Sequence, residues 1–262
     1  MFDDAIQLRT PGLFVTATDT GVGKTVATCA IAAALRRQRA DVRVGVCKPF
    51  ASGCRRDREG LVSPDGEALA HFANSVHPLD VVTPVRFAAP LAPAVAAEES
   101  RQPIDADALR RALERIDAES DALLIEGVGG VRVPLDPDKP KVDVIDLIAW
   151  LGLPVVIVCR PNLGTLNHTA LTAAALKQRK GVQVAGLIIS GYDADATAQD
   201  PSVESNRRWL SKMTGLPILT VLPRVREERA RVEKAVLDEA IIEAAQAVDW
   251  TAILRPPRTA GK

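Results

Sequence analysis

Apolar and polar positions along this chain follow two periods in turn. Short, largely apolar runs at residues 12–15, 42–47, 122–125, 154–159, 183–189 and 217–222 have the length and Val/Ile/Leu content of buried strands. Between them lie longer segments of helical period at 26–35, 64–72, 106–118, 142–151, 166–179, 204–210 and 237–247. In residues 106–118 the pattern is clearest: Leu109, Ala112, Leu113 and Ile116 share one face, and Asp105 stands where a helix cap belongs. Repeated strand–helix alternation predicts an α/β fold, a parallel sheet wrapped by helices on both faces in a single domain spanning residues 1–262. Two stretches carry no period. Residues 78–103 are rich in Pro and Ala and read as an irregular excursion with a short strand near Val85-Arg86-Phe87. The tail, 255–262, reads as frayed.

Composition sharpens this. Hydrophobic residues make up 47% and aromatics only 3%, so the core is built from aliphatic side chains, as parallel strands under helices require. Lys plus Arg and Asp plus Glu are both 33, and the balance gives no reason to expect nucleic acid or a membrane as partner. No apolar run approaches the ~18 residues of a membrane span, and the amino terminus lacks a signal-peptide pattern; a cytoplasmic protein is expected. Cys29, Cys47 and Cys159 lie in apolar runs and read as buried thiols; Cys54 lies in a basic loop, where a passive thiol is the favoured reading and a reactive one the alternative. Trp150, Trp209 and Trp250 read as packing residues.

The chemistry begins after the first strand, at Thr16-Ala17-Thr18-Asp19-Thr20-Gly21-Val22-Gly23-Lys24-Thr25. A strand, a tight loop and a helix amino terminus in that order make a phosphate cradle, because loop N–H groups and the helix dipole both favour an anion. Lys24 would reach the outer phosphates and the Thr25 hydroxyl would hold Mg²⁺. The strict G-x-x-x-x-G-K-[ST] pattern is broken at Thr18; the plain alternative is a glycine-rich turn with a solvated lysine.

Other strand ends bring Lys48 with Ser52, and Glu126 ahead of Gly127-Val128-Gly129-Gly130, to the edge where open α/β sheets bind ligands. Asp65 joins them from the loop after the second strand. Thr25, Asp65 and Glu126 form an all-oxygen set suited to a hard cation shared with phosphates, and Lys48 adds a second positive charge. Each has a plainer alternative: a helix cap for Asp65, a surface acid for Glu126, a strand-end surface lysine for Lys48. His168 reads as a helix-start histidine, and His71 and His77 receive no role.

These residues together resemble the dethiobiotin synthetase family, of P-loop NTPase type. Ala17-Thr18-Asp19-Thr20-Gly21-Val22-Gly23-Lys24-Thr25 is similar to its Gly-Thr-x-Thr-x-Val-Gly-Lys-Thr loop. Lys48-Pro49-Phe50-Ala51-Ser52-Gly53, Glu126-Gly127-Val128-Gly129-Gly130 and Leu163-Gly164-Thr165-Leu166-Asn167-His168 match three further motifs in the family's order, and beyond Tyr192 the likeness is weak. The resemblance implies a Mg²⁺-dependent ligase that closes a cyclic urea on 7,8-diaminopelargonate with CO₂ and ATP, through a carbamate and a carbamic-phosphoric anhydride. It implies Lys48 and Lys24 as catalytic lysines, with Thr25, Asp65 and Glu126 on the metal. The nucleotide would contact Gly21, Val22, Gly23, Lys24, Thr25 and Val26, then Gly127, Val128 and Gly129, with Ser190, Gly191, Pro223, Arg224 and Val225 toward its base. Thr20 and Ser52 would line the diamine, and Leu166 and Asn167 would reach it from the other subunit of a homodimer. Two positions depart from the family: Ala17 replaces the first loop glycine, and Ser190-Gly191 stands where many members carry Asn-Asp for adenine, which opens the site to CTP.

Two competitors are weaker. ATPase switches of the same fold carry a signature lysine five residues before the loop's last lysine, where this chain has Asp19. An amidating synthase would need a glutaminase domain for which 262 residues leave no room.

Overall fold

The computed structural model describes residues 2, 6–58 and 60–256. Strand β1 (Gly12–Ala17) is buried along its whole length and ends in the phosphate loop. Helix α1 (Lys24–Gln38) follows, its Ala-rich face laid on the sheet where small side chains let helix and strands approach. Strand β2 (Val44–Cys47) leads to β3 (Phe50–Ala51) and then to β4 (Arg55–Asp57) and β5 (Gly60–Val62). The last two pair as an antiparallel hairpin inside what reads from sequence as a charged loop. Helix α2 (Pro64–Ala73) starts at Ser63, whose hydroxyl accepts the Gly66 N–H at 3.1 Å.

The Pro/Ala-rich stretch is more regular than its composition predicts. It holds α3 (Leu79–Val82), β6 (Val85–Arg86), which pairs with β3, and α4 (Pro93–Ser100), whose Ala94, Ala96 and Ala97 are buried. Helix α5 (Ala106–Ala118) is capped by Asp105, whose carboxylate accepts the Ala108 N–H at 2.8 Å; Leu109, Ala112, Leu113 and Ile116 face the core. Strand β7 (Ala122–Glu126), α6 (Val144–Leu151), β8 (Val155–Cys159), α7 (Thr165–Gln178), β9 (Val184–Tyr192), α8 (Ser202–Thr214), β10 (Ile218–Pro223), α9 (Glu239–Gln246) and α10 (Trp250–Ile253) complete the order.

Six strands form one parallel sheet in the order β10-β9-β8-β1-β7-β2. The chain leaves β1 toward β2 at one edge, returns through β7, and only then builds outward on the other side, so β1 lies where the winding direction reverses. Ligands bind at such a switch point, outside the strands' carboxyl ends. Registry sets Val15 opposite Glu126 and Cys47 opposite Ile125, which aligns the ends of β1, β7 and β2. Alternation along β1 sends Leu13 and Val15 into a core shared with α1, α2 and α9, and Phe14 into one shared with α5, α6 and α7.

Some local expectations change. Trp250 is fully buried, but Trp209 is 46% exposed on α8 and does not pack into the core. All four cysteines are free and buried, and burial pushes the Cys54 thiol above its ordinary range, in line with the passive reading of that residue. Arg255 is not frayed: its carbonyl accepts the Gly12 N–H at 2.9 Å, extending the first strand's pairing. The rest of the tail, 257–262, lies outside the described residues. Among the described residues no helix is long and apolar enough to cross a membrane.

Candidate active site

The phosphate loop closes on two glycines in the left-handed region, Gly21 at φ 69° and Gly23 at φ 98°. Helix α1 then begins with no side-chain cap and no acid in its first turn, so its leading N–H groups and dipole are open to an anion. Lys24, almost buried, folds back over the loop and donates to the Asp19 carbonyl at 3.0 Å. From the end of β8, Arg160 Nη2 donates to the Thr20 carbonyl at 3.2 Å and ties the loop's tip to the sheet.

Beside the loop the structure brings together four side chains from four elements or their ends. Lys48 Nζ lies 2.5 Å from Glu126 Oε1 and 2.6 Å from Asp65 Oδ2. Thr25 Oγ1 donates to the same Glu126 oxygen at 2.9 Å. The plainer alternatives fall away here. Glu126 is fully buried rather than a surface acid, Lys48 retains 4% exposure, and the cap of α2 is Ser63 rather than Asp65.

Charge in this cluster is shared unevenly. Burial alone would pull Lys48 down, but Glu126 and then Asp65 more than offset it and hold the ammonium above the usual lysine range. Burial likewise would raise Asp65, yet adjacent Lys48 keeps its carboxyl below the ordinary range. Lys24 lacks such close acids; burial first, and Lys48 second, lower it to about 8.

Glu126 Oε2 is buried and has no hydrogen-bond partner among the described residues. A buried carboxylate oxygen left over in this way fits a further ligand, and the donor set of Thr25, Asp65 and Glu126 is the hard-oxygen chemistry of Mg²⁺. The described residues hold no cluster of three or more His, Cys, Asp or Glu side chains able to bind a metal alone. Such an ion would therefore be held jointly with phosphate oxygens and water.

A cavity of about 590 Å³ opens over the cluster, lined by Thr20, Gly21, Gly23, Lys24, Thr25, Val26, Lys48, Ser52, Asp65, Val128 and Gly129 among the residues expected from sequence. It is also lined by Pro90, Leu91, Ala92 and Val133, which sequence reasoning missed. The first three sit in the Pro/Ala-rich stretch, where no period marks a buried face; the loop there is pinned by the Gly53 N–H donating to the Ala89 carbonyl at 3.2 Å. Other expected residues lie elsewhere. Ser190, at the buried end of β9, abuts Gly23 from outside the cavity: a Cβ on Gly23 would lie 2.3 Å from Ser190 Oγ. Gly191 and Pro223 to Val225 gather at the same corner, where the Arg224 N–H donates to the Tyr192 carbonyl at 2.7 Å. Leu166 and the exposed Asn167 stand in the first turn of α7 and do not line the cavity.

The parallel sheet, switch-point loop and lysine at the helix start define a P-loop nucleoside triphosphatase fold. A family described as an AAA domain matches residues 11–230. Among solved structures, the MinC:MinD cell division complex of Aquifex aeolicus superposes with a TM-score of 0.58 at 13% identity, covering 97% of this chain and all of that one. A ParA family ATPase from Chlorobium tepidum gives 0.55 at 16% identity, covering 94% of this chain and 100% of that one; at such identities the likeness speaks for the fold alone. Sequence relatives go further. ATP-dependent dethiobiotin synthetase of Thermodesulfovibrio yellowstonii is 38% identical, over 82% of this chain and 90% of the relative. That of Anaeromyxobacter dehalogenans is 40% identical over 81% and 89%, and that of Bacillus licheniformis 39% over 82% and 87%. The chain belongs to the ATP-dependent dethiobiotin synthetase family.

Proposed function

We propose that the chain closes a cyclic urea on 7,8-diaminopelargonate with CO₂, consuming ATP to give dethiobiotin. The observation that carries this reading is the second lysine. A loop with Lys24 suffices to hold a triphosphate, whereas Lys48, from a different strand end, puts another cation in the same cavity as Thr20 and Ser52. Two cations for two anionic groups suit a reaction in which a carbamate meets a phosphate.

One amine of the substrate adds to CO₂, forming a carbamate and releasing a proton. A carbamate oxygen attacks the γ-phosphorus, the bond to the bridging oxygen breaks, and nucleoside diphosphate leaves. The second amine then attacks the carbonyl carbon of the mixed anhydride, phosphate departs, and that amine's proton is lost. In this reading Lys24 and the N–H groups of Gly21 to Val26 hold the phosphates, with Gly127 to Gly129 beside them. Lys48 neutralises the carbamate and the phosphoryl group in transfer, and Thr20 and Ser52 bind the carbamate end. Leu91, Val128 and Val133 give the methylene chain an apolar wall and keep water from the anhydride. Thr25, Asp65 and Glu126 would hold Mg²⁺, which when bound supplies charge neutralisation of the phosphates.

The base would sit at the corner of Ser190, Gly191 and Pro223 to Val225, with ATP as co-substrate and CTP as a competitor. A homodimer is supported by Leu166 and Asn167 standing away from their own cavity, and by exposed Leu163, Leu171, Trp209 and Met213 on and beside α7 and α8. Four free, buried cysteines are in keeping with a cytoplasmic protein. The decisive test is triphosphate hydrolysis in the presence and absence of 7,8-diaminopelargonate and bicarbonate. Turnover independent of both would overturn the assignment. Mixed dimers of Lys48→Ala with Asn167→Ala should regain activity if sites are shared; no recovery would count against sharing.

A further inference from the structure

The two carboxylates proposed to hold Mg²⁺ are already engaged by a cation belonging to the protein. Lys48 Nζ touches both, at 2.5 Å from Glu126 Oε1 and 2.6 Å from Asp65 Oδ2. The third candidate ligand, Thr25 Oγ1, donates to that same Glu126 oxygen at 2.9 Å. Glu126 is fully buried and Lys48 nearly so, which leaves little water to screen charge between them. A magnesium ion takes oxygens at about 2.0–2.1 Å in near-octahedral order. An ion on the free Glu126 Oε2 and on Asp65 would share both carboxylates with the Lys48 ammonium, and the two cations would repel each other at a poorly screened site, so metal and lysine compete for the two acids.

We propose that Lys48 is the resident counter-cation of the metal site, and that occupation of the site by a divalent ion expels it from Glu126 and Asp65 toward Ser52. The proposal rests on the metal site assigned above. It gives Lys48 two stations: paired with carboxylates in the free protein, and released into the cavity it already lines once metal and triphosphate are in place. The cation that meets the carbamate is then presented only when a phosphoryl donor is bound. The same competition makes the free protein a poor binder of divalent ions.

Two measurements test this. Mn²⁺ binding to the nucleotide-free protein, followed by the electron paramagnetic resonance of the free ion, should be at least tenfold tighter for Lys48→Met than for the wild type. Because Lys48→Met strips a buried carboxylate of its cation and can unfold the chain, the second arm uses the wild type only. There, acylation of Lys48 by an amine reagent, read by mass spectrometry, should speed up at least threefold at saturating Mn²⁺. Equal affinities in two folded proteins, or an unchanged acylation rate, would overturn the exchange while leaving the metal site standing. If neither protein bound Mn²⁺ even with a triphosphate present, the metal site would fall, and the exchange with it.

Discussion

Gly23 and Ser190 meet at the corner where the phosphate loop passes the end of β9, so closely that a methyl group on Gly23 would lie 2.3 Å from the serine hydroxyl. Two separate constraints thus oppose a side chain at Gly23: its φ of 98°, and this contact, which would force the Ser190 hydroxyl to move. Gly23→Ala should therefore weaken triphosphate binding at least tenfold. Adding Ser190→Gly should restore only part of it, because the second change removes the contact and leaves the backbone penalty, roughly 1–2 kcal/mol. Full restoration in calorimetric titrations would show that the left-handed backbone matters little.

The free Lys24 ammonium titrates at about 8, pulled down from 10.5 first by burial and then by Lys48. A triphosphate beside it favours the charged form, so binding should draw in a proton wherever Lys24 is neutral beforehand. Below about pH 7 it is already charged and no uptake is expected; at pH 8.5 uptake should reach roughly three-quarters of a proton, and affinity should fall toward tenfold per pH unit beyond. Calorimetry in buffers of different ionisation enthalpy reads this directly. The sign for stability is opposite: the unfolded chain holds this proton more tightly, so the Lys24 contribution to stability rises as pH climbs from about 8 to 10.5.

Ser63 and Asp65 are two residues apart and should fail differently. Ser63→Ala removes the cap of α2, with loss of about 1 kcal/mol and a Tm lower by ~2–4 °C, at an unchanged Mg²⁺ requirement. Asp65→Asn leaves the cap in place but takes one carboxylate from the buried Lys48 ammonium, so Tm should fall as well, and Mg²⁺ is the readout that separates the two variants. Its half-saturating Mg²⁺ concentration should rise several-fold. Matching changes in both variants would make Asp65 a structural residue only.

The site was legible wherever chemistry and period coincide. Lys24, Lys48, Asp65 and Glu126 lie at strand ends or helix starts, and a parallel sheet brings such ends to one edge regardless of the loops between them. Helix α5 was readable to the residue because Asp105 and the Leu109–Ile116 face agree. The wall from Pro90 to Ala92 was not. Alanine and proline carry no contrast between buried and exposed faces, so α4 leaves no period although Ala94, Ala96 and Ala97 are buried. The hairpin of β4 and β5 was hidden for a different reason: β4 is exposed on every residue and has no apolar alternation to betray a strand. Trp209 shows the limit of composition, since a large aromatic reads as a packing residue and yet stands half in solvent.

The base of the nucleotide gives the sharpest remaining test. A site that reads one base edge with a buried amide rejects other bases strongly, because its polar groups are left unpaired by the wrong one. Ser190 offers only a short hydroxyl, and that hydroxyl abuts the backbone of Gly23. It cannot make a bidentate contact to any base. At the neighbouring strand end the Tyr192 carbonyl is already engaged by the Arg224 N–H, so fewer backbone groups remain to distinguish adenine from cytosine. Affinity should come mainly from the phosphate loop, with CTP binding within about a hundredfold of ATP, a gap of at most ~2.7 kcal/mol. Parallel titrations of ATP, CTP and GTP measure it. Ser190→Asn should widen the gap in favour of ATP, since a carboxamide can both donate to and accept from adenine's edge. A wild-type preference for ATP beyond a hundredfold over both other nucleotides would mean that backbone groups around Pro223 to Val225 read adenine unaided.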